Sequence, residues 1–92
     1  MPNDSHPHFR TIIESEEFRR ERDSLGIEPR LMDEALEGLT WVIARLPEWG
    51  RRIGNTPVHA ISLEIPEDEI QGVVYYTFNE QEVTLQDISL TK

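Results

Sequence analysis

The sequence contains no cysteine, which removes disulfides, thiolate zinc sites and cysteine nucleophiles from consideration and agrees with a reducing, cytoplasmic setting. It is also short of positive charge. Nine Lys and Arg stand against eighteen Asp and Glu, a formal net charge of −9, and that balance argues against a general nucleic-acid or membrane-surface binder. No apolar run approaches the ~20 residues that a membrane span needs, and the polar start MPNDSHPH is unlike a signal peptide. Nucleophile elbows, phosphate-binding glycine loops, dinucleotide fingerprints and HExxH zinc motifs are all missing. The catalytic classes that announce themselves in sequence are therefore excluded, and neither a metal nor a cofactor is expected.

What remains is enough for one small domain. The 92 residues are 37% hydrophobic and 29% charged, a globular balance with room for one thin core. Residues 1–8 hold two prolines and two histidines among polar neighbours and read as a flexible lead-in, leaving 9–92 as the domain. Phe9 to Ile13 places Phe9, Thr11 and Ile13 on one side of a first strand. Ser15 suits a helix N-cap, with Glu16 and Glu17 in a first turn that favours negative charge, and Gly26 suits the stop after Leu25. Only Phe18 and Leu25 are large and apolar on that helix.

Pro29 fits the first turn of a second helix. Leu31, Met32, Ala35, Leu36, Leu39, Val42, Ile43 and Leu46 then recur at spacings of three and four, the strongest periodic signal in the chain. Leu31, Leu39 and Leu46 continue this core stripe, and Pro47 and Gly50 end it. After a loop at 51–57 the period becomes two: Ile61, Leu63 and Ile65 alternate with Ser62 and Glu64. Pro66 to Glu69 is an acidic turn. The run from Gly72 to Phe78, GVVYYTF, reads as a strand covered on both faces. In the last strand, Glu82 to Leu90, Val83 and Leu85 are out of phase with Ile88 and Leu90, which implies a bulge near Gln86 and Asp87. The order is strand, helix, helix, then a three-stranded antiparallel meander, with the helices packed on one face: an α+β fold.

Few residues suggest chemistry. Asp4, His6 and His8 fall in the lead-in, where nothing fixes ligand geometry. His59 stands alone near a strand start, without a sequence-adjacent carboxylate partner. Glu67, Asp68 and Glu69 lack the spaced ligands of a calcium loop. Glu16 and Arg20 are spaced as a helical ion pair, with Arg19 and Arg22 on an adjacent face. Arg51 and Arg52 follow Trp49, an arrangement able to hold phosphate beside a stacked base or to engage carboxylates. Tyr75 and Tyr76 point to opposite faces of one strand, one of them into the core. Trp41 sits at the border of the helix-two stripe. Border tryptophans beside arginines anchor protein interfaces, so one reading has a surface including Trp41 or Trp49, rimmed by Arg51 and Arg52, binding a partner or a second copy, and an equal one has both indoles capping the small core. Arg19 and Arg22 on helix one are further candidates for partner contact.

With this order of elements the chain resembles the RelE/ParE superfamily of small toxins from toxin–antitoxin pairs. FRTIIESEEFRRERDSLG matches as strand and helix, the long helix ends in LPEWG, and the hairpin VVYYTFNEQEVTLQDI is the closest local match. The resemblance spans about residues 9 to 92. It implies the α+β fold and an antitoxin that wraps the domain as a helix in a groove or a strand on the sheet edge. It also implies either cleavage of ribosome-bound messenger RNA or poisoning of gyrase. A weak ribonuclease of this kind would use Arg51, Arg52, His59, Tyr76 and Lys92, with His59 or Tyr76 as acid/base and the arginines holding phosphate. VHAISLEIP, however, offers only His59 where such members carry lysines or arginines, and Val73 occupies a position they often give to arginine. The expected activity is therefore protein binding in a toxin-like component, ahead of a weak ribosome-dependent ribonuclease or a non-toxic adaptor or regulator of the same fold.

Overall fold

The computed structural model describes residues 9–91. The lead-in 1–8, with Asp4, His6 and His8, and Lys92 lie outside the described residues. The chain is α+β, with two helices and a five-stranded mixed sheet. The elements are β1 (Thr11–Glu14), α1 (Glu16–Ser24), α2 (Pro29–Arg45), a 3-10 turn (Pro47–Trp49), β2 (Arg51–Arg52), β3 (His59–Ile65), a second 3-10 turn (Pro66–Asp68), β4 (Ile70–Phe78) and β5 (Glu82–Leu90). The strand order is β1-β5-β4-β3-β2. β2, β3, β4 and β5 pair antiparallel in succession, while β1 lies parallel to β5.

This sheet is wider than the sequence pattern implied. β1 joins it beside the last strand, since a parallel return needs a helical crossover, which α1 and α2 provide. Arg51 and Arg52, read as loop, form a short edge strand paired with Ala60 and His59. β1 is also out of phase with the expectation. Ile12 turns toward the core while Ile13 is exposed, because Ile12 sits level with Val83 and Ile13 with Thr84.

Helix α1 forms for the anticipated reasons. The Ser15 hydroxyl accepts from the Phe18 amide at 3.0 Å, and Gly26 takes φ +73° after the last turn. The Ser15 amide also donates to the Leu85 carbonyl at 3.0 Å, tying the helix start to β5. Phe18 is completely buried. Glu16 and Arg20 form no ion pair among the described residues; Arg22 instead donates from Nη1 to both carboxylate oxygens of Glu14, 2.9 Å to each.

Helix α2 buries Leu31, Met32, Leu36, Leu39 and Ile43. Leu46 does not continue the stripe inward and is 50% exposed, since the helix has ended and its backbone has left helical geometry (φ −132°, ψ 73°). The sheet side of the core is Leu63, Val74, Tyr76, Val83, Leu85 and Ile88. The register of β4 with β5 shifts between Tyr75 and Tyr76, skipping Gln86, so a bulge lies at the anticipated place. It rotates Ile88 onto the face that Leu85 already occupies, and both are buried. The other face of β4 is not covered as fully as GVVYYTF implied: Val73, Tyr75 and Thr77 are half-buried, because both helices serve the opposite face.

Candidate functional site

Two places carry features beyond packing. The first is a cross-strand row on the helix-side face, at the end of the sheet where β2 ends and β3 starts. Register places Arg52 opposite His59, His59 opposite Tyr76, and Tyr76 opposite Leu85. The His59 ring lies 5.7 Å from the Tyr76 ring and 5.0 Å, edge-on, from the Phe78 ring. Arg10 covers the same phenyl ring at 5.9 Å and donates from Nε to the Asn79 carbonyl at 2.6 Å. The His59 Nδ1 atom is buried and has no hydrogen-bond partner among the described residues.

Tyr76 is committed to structure. Its hydroxyl donates to the Pro47 carbonyl and accepts from the Gly50 amide at 3.0 Å. Burial pushes its phenol pKa up; the Gly50 bond pulls it down, and the carboxylate of Glu48 pushes it further up. The group stays a neutral strut between β4 and the turn that follows α2. Gly50 makes this contact possible: a Cβ there would lie 2.5 Å from the Tyr76 hydroxyl and 2.8 Å from the Ala60 carbonyl.

Arg52 turns its guanidinium to its own loop, donating to the carbonyls of Thr56 at 2.9 Å and Asn55 at 3.5 Å. Arg51, one residue earlier, points to the other side of the ribbon. The sequence set Arg51, Arg52, His59, Tyr76 therefore divides: the last three share a row, Arg51 does not, and Lys92 lies outside the described residues. Arg10 was missed because its relation to Phe78 depends on β1 returning beside β5. No group of three or more His, Asp or Glu side chains able to hold a metal occurs among the described residues.

The second place is a groove of about 620 Å³ along the outer edge of β3. Ala35, Leu39 and Val42 of α2 form one wall, Trp49, Gly50 and Arg51 close one end, and β3 from Ala60 to Glu64 makes the floor. β2 pairs only with His59 and Ala60, so β3 has no neighbour on this side from Ile61 onward. The Ile53 amide bonds the Val58 carbonyl toward β2 at 2.8 Å. By alternation the amides and carbonyls of Ser62 and Glu64 point out of the same edge. Trp49 is 67% exposed at the mouth.

The remaining candidates fall elsewhere. Trp41 is 60% exposed and does not line the groove; the Arg45 guanidinium lies 3.9 Å over its ring and 5.0 Å from the Phe9 ring. Neither indole caps the core. Arg22 is held by Glu14 and Asp23 and is not a free contact point, while Arg19 is exposed on α1. No described helix is long and apolar enough to cross a membrane. The chain matches no protein-family model, and no curated protein or solved structure resembles it significantly.

Proposed function

We propose that this protein is a toxin-like component of a RelE/ParE-type pair that acts mainly by binding another protein, an antitoxin-like chain, in the cytoplasm. The observation that carries the reading is the groove beside the unpaired part of β3, with its apolar helix wall and exposed Trp49. Exposed aromatic anchors beside an unsatisfied sheet edge are what a protein partner uses. The order of strand, helix, helix and sheet supports the family reading from the side of the sequence. Tyr76 supports binding over catalysis, since its hydroxyl is engaged by two backbone groups and its proton is held tightly.

Expression of the chain alone in bacteria tests the toxin half, with growth, RNA integrity and DNA topology followed together. Growth arrest that a co-expressed partner relieves supports it. Unimpaired growth with unchanged RNA and DNA removes the toxin and leaves an adaptor or regulator.

One observation favours a second reading, the weak ribonuclease: His59 and Arg52 stand opposite one another at a sheet end that also holds Arg10. Ribosome-dependent messenger cleavage abolished by His59→Ala or Arg52→Ala supports it. Cleavage that survives both changes, or no cleavage at all, rejects it.

A further inference from the structure

We propose that the groove along β3 accepts an extended, lysine- or arginine-led segment of a partner protein, which adds a sixth strand to the sheet antiparallel to β3. The inference rests on the binding reading above and specifies the chemistry of the partner.

Three observations lead to an extended occupant. The Ser62 and Glu64 amides and carbonyls face a position where the sheet stops although the helix layer continues. Ala35, Leu39 and Val42 overhang that position, so alternate side chains of an added strand would meet an apolar wall. Gly50 brings the chain into β2 close against the Ala60 carbonyl, and β2 pairs only with Ala60 and His59, so the edge beyond Ala60 stays open. The free stretch from Ile61 to Ile65 is short, so backbone bonds alone hold little, and the wall and Trp49 must supply the rest.

Charge selects the occupant. At its far end the groove meets a second cavity lined by Glu64, Pro66, Glu69, Ile70 and Gln71. Glu67 and Asp68 stand in the exposed turn between them. The opposite end carries Arg51. A strand antiparallel to β3 enters over the acidic end and leaves past Arg51, so its first residues should be cationic and its last one neutral or acidic. A second copy of this chain would bring a further net charge of −9 to the same edge, which long-range repulsion opposes.

The probe is a synthetic peptide of about eight residues, two lysines followed by alternating valine and threonine, long enough to span the edge at ~3.3 Å per residue. Calorimetric titration into the full chain should show saturable binding, weakened about tenfold or more when glutamates replace the lysines or when Glu64→Lys and Glu69→Lys are combined. Ser62→Pro removes only an outward amide and should abolish binding while the circular dichroism spectrum is retained. Should that variant unfold, N-methylation of alternate peptide amides must abolish binding to the unaltered protein. Three results overturn the proposal: no saturable binding, equal affinity for lysine-led and glutamate-led peptides, or undiminished binding to folded Ser62→Pro. A dimer in sedimentation that Ser62→Pro dissolves would also overturn it, because the edge would then belong to a second copy. Growth arrest plays no part in these measurements, so peptide binding without toxicity discards the toxin reading and leaves the strand site standing.

Discussion

Replacing Tyr76 with phenylalanine isolates one hydroxyl in the interior and asks what it holds together. The ring is fully buried and remains so in the variant, so the apolar contribution is nearly unchanged. What disappears is the bond to the Pro47 carbonyl and the acceptor for the Gly50 amide. Each such bond contributes about 1 kcal/mol net, and leaving the buried Pro47 carbonyl without a partner costs about 1–3 kcal/mol. The expected loss is about 2–3 kcal/mol, a large part of the ~5–15 kcal/mol that holds a domain together. For a chain of this size it should lower Tm by roughly 10–20 °C.

The same residue fixes a pH dependence. Its folded-state pKa lies above the ordinary 10.0, chiefly through burial. The native state therefore keeps a proton that the unfolded chain gives up first. The stability tied to that proton is complete below about pH 10 and is lost as pH rises through the folded-state value. Urea denaturation of the two proteins at neutral pH and at several points above pH 10 tests both statements. The gap between wild type and Tyr76→Phe should be widest at neutral pH and narrow above pH 10. A gap below about 0.5 kcal/mol at neutral pH, or one that widens with pH, would refute the argument that the hydroxyl is a neutral strut.

Three other substitutions follow from the same structure. Gly50→Ala places a methyl against the Tyr76 hydroxyl and the Ala60 carbonyl and should cost about 1–3 kcal/mol in urea melts. Phe18→Ala empties the only fully buried position on α1 and should cost about 3–5 kcal/mol, enough to leave much of the chain unfolded at 37 °C by circular dichroism. Ser15→Ala removes the acceptor for the Phe18 amide and should cost about 1 kcal/mol, with faster hydrogen exchange confined to the first turn of α1.

The sequence alone determined the features that depend on near neighbours. The cap at Ser15, the stop at Gly26, Pro29 at the head of α2 and the spacing of Leu36, Leu39 and Ile43 are local, and each appears where its chemistry requires. The bulge at Gln86 was legible too, because a change of phase in one strand needs an extra residue somewhere. The tertiary structure alone decided the rest. The partners of β1 and β2 are set by the crossover and the helix layer, which is why Ile12 rather than Ile13 faces inward and why Arg51 and Arg52 became strand. Leu46 kept the helical spacing after the helix had ended, so its period carried no information about burial. Trp41 and Trp49 looked alike in sequence; only the packing put Arg45 over one and the groove beside the other. The open edge of β3 has no sequence signal of its own, because it arises from a strand that should lie beside Ser62 and Glu64 and does not. Alternation specifies which face a residue takes, but which strand stands next to it is settled by long-range closure of the sheet.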